Sequence, residues 1–160
     1  MAKLRFLDLF AGCGGFSLGL EQAGLELVAA VERSPMAAES HFKNFHLRGQ
    51  AWDQGKWDEV LGGSFAKQVD HGTVVDNVWD LLDDSEAMSA LQEMAPEVVV
   101  GGPPCQGFSM AGRRNPEDER NQLPEAFLRF VAELKPKAVV IENVVGINMA
   151  FASQGSLDPP

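Results

Sequence analysis

The opening of the chain constrains its fold more than any other stretch. Lys3-Leu-Arg-Phe-Leu-Asp-Leu-Phe10 alternates as a short strand does, then breaks at Ala11-Gly12-Cys13-Gly14-Gly15. Phe16-Ser-Leu-Gly-Leu-Glu-Gln-Ala23 follows at helical spacing, with Phe16, Leu20 and Ala23 along one face and Gly24 placed to end it. Strand, glycine turn and helix in that order open a nucleotide-binding α/β unit. The glycines let backbone approach a ligand closely, and the amides at the helix start favour negative charge. Taken alone, such a turn is equally well a purely structural one.

Four further apolar runs read as strands, and two of them close on a carboxylate. Leu25-Glu-Leu-Val-Ala-Ala-Val-Glu32 is the second strand. An acid there, about 20 residues past the glycines, suits the two hydroxyls of a ribose, although a solvated charge is the plainer alternative. Gly72-Thr-Val-Val-Asp76 is a third strand, Pro96 to Gly101 a fourth and Lys137 to Val144 a fifth. Between them, Pro35 to about Leu47 reads as a helix with Pro in its first turn. His41 and His46 lack a cysteine or carboxylate cluster at ligand spacing, so they are read as surface or packing residues and no metal is expected.

Residues 48–71, with Trp52 and Trp57, look like an insertion holding one short helix around 57–69, the tryptophans packing it onto the domain. Asp83-Asp84-Ser85-Glu86 starts a helix through Met94, its acids where the dipole favours them. Met110 to Gln122 carries mixed charges and suits a solvated loop. Leu123 to Leu134 is an amphipathic helix that tolerates Pro124 in its first turn. The stretch 148–160 reads as an irregular tail.

The totals exclude several classes. One domain is expected from 160 residues, with no apolar run near the ~20 residues of a membrane span and no signal-peptide form at the start. Only Cys13 and Cys105 are present, on separate motifs, so a disulfide framework is not indicated and a reducing cytoplasm is the default location. A net charge of −10 opposes a bulk grip on nucleic acid, which needs Lys and Arg gathered on one face. Either the chain does not bind DNA, or its DNA-gripping part lies elsewhere.

Chemistry concentrates at Gly101-Gly102-Pro103-Pro104-Cys105-Gln106-Gly107-Phe108-Ser109. The glycines end a strand, the prolines fix φ and remove donors, and Cys105 is left on a stiff loop at the strand's carboxyl end. A free cysteine is more often a small buried hydrophobe. Flanks of Pro-Pro and Gln-Gly suit no core strand, which points to a nucleophile instead. This wording resembles the nucleophile motif of the C5-cytosine DNA methyltransferases. Asp8-Leu-Phe-Ala-Gly-x-Gly-Gly-Phe resembles the same family's S-adenosylmethionine (SAM) motif, and Glu142-Asn143-Val144 its Glu-Asn-Val motif. Ala111-Gly-Arg113-Arg-x-x-x-Asp-x-Arg120-Asn-x-Leu123 resembles the family's mobile loop, which closes over a flipped base.

The resemblance covers about Phe6 to Ile147 and implies a Rossmann-like α/β domain over 1–147, mostly parallel with helices on both faces, in a strand order that runs 3-2-1-4-5-7-6. It implies SAM held by Asp8, Phe10, Ala11, Gly12, Cys13, Gly14, Gly15, Glu32, Arg33, Asp76, Asn77, Pro104 and Leu123. It implies cytosine in DNA contacted by Pro104, Gln106, Ser109, Arg113, Arg120, Asn143 and Val144, with Cys105 as nucleophile and Glu142 acting at N3. Arg33 and Asn77 stand where the family has apolar or aromatic residues. The family's target-recognition half has no counterpart here, so the sequence reads as one part of an enzyme, truncated or split. It is expected to pair through the strand at 138–141 with itself or a completing polypeptide. The rival classes are a SAM-binding module without activity and a dinucleotide enzyme, and only the second leaves Pro-Pro-Cys-Gln without a purpose.

Overall fold

A computed structural model describes residues 2–104 and 122–142. Five strands form one parallel sheet in the order β3-β2-β1-β4-β5: β1 (Arg5–Leu9), β2 (Glu26–Val31), β3 (Thr73–Val74), β4 (Val98–Gly101) and β5 (Ala138–Ile141). The order expected for the first five strands is the one observed. Because β1 is central, its residues Phe6 to Leu9 are fully buried.

Helices cover the two faces unequally. On one face Leu7, Leu9, Ala29, Val31 and Val99 pack against Leu81, Leu91, Phe127 and Phe130. Those last four come from α5 (Val78–Asp83), α6 (Ser85–Met94) and α7 (Leu123–Leu134). The opposite face is a smaller cluster, Phe6, Val98 and Val100 under Phe16 and Leu20 of α1 (Gly15–Gln22). Gly101 lies so close to the Leu9 carbonyl that a Cβ there would collide with it, which fixes glycine at the end of β4.

Several boundaries depart from the sequence reading. The helix expected over 35–47 is α2 (Pro35–Phe42) continued by a π-helical turn, Lys43–Leu47. The single helix expected around 57–69 is two, α3 (Gln54–Gly62) and α4 (Phe65–Asp70). Asp53 caps α3 by accepting from the Lys56 amide at 3.1 Å, and Gly63 breaks the run. Trp57 is buried with Phe42, Leu47 and Val60, so the expectation that it packs rather than serves a partner holds.

The third strand shrinks to two residues, and an unexpected helix, α5, follows it. Its cap is Asn77, whose Oδ1 accepts from the Trp79 amide at 3.2 Å. Asp84 caps α6 in the same way, accepting from Ala87 at 2.9 Å. Among the described residues no helix is long and apolar enough to cross a membrane.

Candidate cofactor and active site

The polypeptide reverses direction across the sheet between β1 and β4, the place where open α/β sheets bind ligands. A cavity of about 1050 Å³ opens there. Each of the first four strands delivers one residue to it from its carboxyl end: Phe10, Glu32, Asp76 and Gly102. Arg33, Asn77, Pro104 and Leu123 complete the set of expected residues that line it. Phe10 leaves β1 with φ 60°, a left-handed backbone that a bulky side chain adopts only under constraint. That bend turns the ring into the cavity instead of continuing the strand.

The glycine turn is tied to this wall. Glu32 accepts from the Gly12 amide at 2.9 Å and from the Ser34 amide at 2.7 Å, one bond to each oxygen. Gly14 has φ 98°, and a Cβ on it would run into the Phe45 ring. Ala11 is buried, while Cys13 and Gly15 are exposed. Asp76 accepts from the Asn77 amide at 2.6 Å through Oδ1.

Asp8 does not line the cavity as expected, and neither do Ala11, Gly12, Cys13, Gly14 and Gly15, which stand behind its wall. Asp8 is fully buried, with Oδ2 accepting from the Ser17 hydroxyl at 2.6 Å. Burial lifts its carboxyl from 3.8 to about 6, opposed by hydrogen bonds from Ser17 and assisted by the charge of Glu32. Ser17 in turn lies 3.0 Å from Nε2 of His41, also fully buried. Burial, with His46 adding to it, lowers His41 to about 4. His41 is therefore a packing residue with a polar partner.

Glu142 sits at the carboxyl end of β5, beside the end of β4, and its amide donates to Gly101 at 3.0 Å. Its Oε2 lies 3.0 Å from where Gly102 would carry a Cβ, so the carboxyl rests against a glycine that also lines the cavity. Cys105, Gln106, Ser109, Arg113, Arg120, Asn143 and Val144 lie outside the described residues. Sequence reasoning missed Trp79, which lines the cavity with Arg129 5.4 Å over its ring. The signal was available in Asn77, a good cap placed directly before an apolar helical run. Among the described residues no three His, Cys, Asp or Glu side chains gather where a metal ion could bind.

A doubly wound sheet with a carboxylate-walled, partly apolar cavity at its switch point has the form of the α/β domains that take nucleotide-type ligands. The profile of the C-5 cytosine-specific DNA methylase family matches residues 4–151, and the chain belongs to that family. Over 144 residues it is 39% identical to the Type II methyltransferase M.XorII of Xanthomonas oryzae pv. oryzae, covering 89% of this chain and 28% of the relative. The Type II methyltransferase M.HgiGI of Herpetosiphon aurantiacus is 35% identical, covering 88% of this chain and 90% of the relative.

A crystal structure described as a prophage-encoded DNA modification methyltransferase of E. coli superposes with TM-score 0.61 at 32% identity, covering 94% of this chain and 37% of that one. The Dnmt2 methyltransferase of S. pombe shares the fold at TM-score 0.58 and 21% identity, covering 95% of this chain and 39% of that one. The chain thus spans well under half of M.XorII and of both solved structures.

Proposed function

We propose that this chain is the cofactor- and nucleophile-bearing part of a SAM-dependent DNA (cytosine-5-)-methyltransferase of restriction–modification type, working in the cytoplasm. The convergence of Phe10, Glu32, Asp76 and Gly102 on one cavity carries the reading. The residues fit the group: Glu32 and Asp76 present carboxylates at the carboxyl ends of neighbouring parallel strands, and Phe10, Val31, Val78 and Leu123 give an apolar surround. In this reading Phe10 packs on the adenine, Glu32 holds the ribose and Asp76 takes the adenine amino group. When bound, SAM supplies an electrophilic methyl.

The chain's own residues make cytosine able to accept that methyl. Cys105, as thiolate, adds to C6 and leaves C5 electron-rich. Glu142 hydrogen-bonds and protonates N3, neutralising charge as it develops. Loss of the C5 proton and of Cys105 restores the ring. The target carbon is hidden in a duplex, so the base must be flipped out.

The N3 role needs a carboxyl in water-poor surroundings, and the described residues leave Glu142 exposed. Further polypeptide, in the same chain or another, is proposed to cover it by docking on β5. A SAM-binding module without activity is the second reading, favoured by that same exposure.

Calorimetry with SAM and with NAD tests the cofactor, with binding expected only for SAM. Glu32→Ala should weaken it by ~1.5–3 kcal/mol, the range for hydrogen bonds to a charged group. Unchanged affinity sinks the ribose assignment. An oligonucleotide carrying 5-fluorocytosine should be trapped by Cys105 once the completing segment is present, and absence of trapping then favours the binding module.

A further inference from the structure

A buried chain of three polar side chains lies beneath the glycine turn, and nothing in the reaction above uses it. Asp8 comes from β1, Ser17 from the first turn of α1 and His41 from α2. All three are fully buried. Ser17 Oγ is 2.6 Å from Asp8 Oδ2 and 3.0 Å from His41 Nε2. Ser17 has one proton to give. With an ionised Asp8, that proton must go to the carboxylate, so His41 must be the donor, protonated at Nε2 and bare at Nδ1. Nδ1 and the second oxygen of Asp8 have no hydrogen-bond partner among the described residues.

The His41 ring also reaches the turn directly. It stacks on Phe45 with centroids 4.4 Å apart, and both rings occupy the space where Gly14 would carry a side chain. Phe45 reaches that position from the π-helical turn, a rare conformation that tends to mark functional places. Gly14 caps α1, and Gly12 is held by Glu32 at the cavity wall. The position of the turn is thus set from below by the side chains that His41 organises.

We propose that His41 is a positioning residue for the cofactor site, holding the glycine turn through the directed chain His41 Nε2–H to Ser17 Oγ, and Ser17 O–H to Asp8. The proposal rests on the cofactor reading given above. It has a consequence for protons. Once Asp8 takes one on Oδ2, the oxygen that faces Ser17, it becomes a donor to Ser17, whose own proton then needs an acceptor. His41 Nε2 can accept only by moving its proton to Nδ1, where no partner waits. The chain must reverse or break.

The charged and titratable groups facing His41 are Asp8 from β1, Glu32 from β2 through Asp8, and His46 from the π-helical turn. Glu21, Arg48 and His71 act on His46 in turn.

The test combines imidazole ¹⁵N spectra of the full chain with calorimetric titration of S-adenosylhomocysteine between pH 5 and 8. At pH 7.5 His41 should show the Nε2–H tautomer, with a change toward Nδ1–H as Asp8 takes its proton near pH 6. Affinity should fall over the same range. His41→Leu should bind about tenfold more weakly, equal to about 1.4 kcal/mol. His41→Gln, whose amide can donate or accept, should restore binding to near the wild-type level and lose the tautomer-linked pH dependence.

An Nδ1–H tautomer at pH 7.5, or a folded His41→Leu with wild-type affinity, overturns the proposal. If His41→Leu does not fold, the wild-type tautomer and His41→Gln still decide it. No binding by wild type at any pH would overturn the cofactor reading and the positioning role with it. The spectra would then report on the hydrogen-bond chain separately.

Discussion

Strands β4 and β5 lie side by side, in register, both short and apolar with a Val-Val pair in common, and with opposite surroundings. Val98-Val-Val-Gly101 is buried throughout, whereas Ala138-Val-Val-Ile141 is exposed throughout among the described residues. Val99 is fully buried and its register partner Val139 is 41% exposed. An apolar, β-branched run specifies a strand, but its neighbours decide whether burial stabilises it. For β4 these are β1 on one side, α1 over one face and α7 over the other. β5 has β4 alone. Phe10, Glu32, Asp76 and Gly102 follow the ends of β1 to β4, whereas Glu142 follows β5, which is exposed among the described residues.

The sharpest way to break this contrast is through α7. Phe127 is fully buried and packs against Gly101, while Leu128, the next residue, is 59% exposed. Phe127→Ala should cost ~3–5 kcal/mol in urea unfolding, as truncated core aromatics do. Leu128→Ala should stay within about 0.5 kcal/mol. Equal losses would mean that α7 is covered on its outer face too.

Acid separates the two regions next. A buried carboxyl raised from 3.8 to about 6, as Asp8 is, adds stability that is complete below 3.8 and lost as pH rises through 6. A histidine lowered from 6.5 to about 4, as His41 is, adds stability that is complete above 6.5 and lost as pH falls through 4. The two nearly cancel in the wild type between pH 7 and 4. Asp8→Asn should unmask an acid loss of about 2–3 kcal/mol, and His41→Gln an acid gain of similar size. Beside β4 and β5 the Glu97 carboxyl is lowered by its hydrogen bond from Lys137, an exposed pair that screening renders minor. Denaturant titrations at pH 4, 5, 6 and 7 check both signs, and parallel curves for wild type and both variants would refute the coupling.

What the sequence made legible follows the same division. The glycine turn, Glu32 and Asp76 were readable because each closes an apolar run, and a parallel sheet gathers such ends at one edge. Asp8 was misplaced because strand alternation does not tell a residue buried within the sheet from one facing the cavity. His41 and Ser17 were unreadable as partners, since 24 residues separate them and only the packing of α2 on α1 joins them. The helix α5 was lost because Asn77 was weighed as a ligand contact and not as a cap. Exposure of β5 had no local signature, because an apolar, β-branched run reads the same whether it is covered or bare.

Within the paired strands themselves the expected effect is smaller. Val99→Ala removes two methyls from a filled site and should cost about 2 kcal/mol, in line with the burial of such groups. Val139→Ala, on the same face one strand over, should cost less than about 0.5 kcal/mol. Guanidinium melts of both variants test the pair, and a Val139→Ala loss as large as that of Val99→Ala would show that something covers β5.

The smallest effect on stability should come with an effect on association. Val140 pairs in register with the fully buried Val100, yet it is 42% exposed and lies in a strand with no partner on its outer side among the described residues. Lysine is the residue that natural sheets use to blunt such an edge, because pairing would force its charge against another chain. Val140→Lys should therefore leave unfolding within about 0.5 kcal/mol of wild type. It should also shift sedimentation from larger species toward the monomer, and weaken capture of any completing segment. Two outcomes would count against the bare-edge account. A large loss of stability would place Val140 in a covered core like that of Val100. Sedimentation as a monomer by both proteins, with unchanged DNA methylation, would show that the outer side of β5 takes no partner and that the site is finished without one.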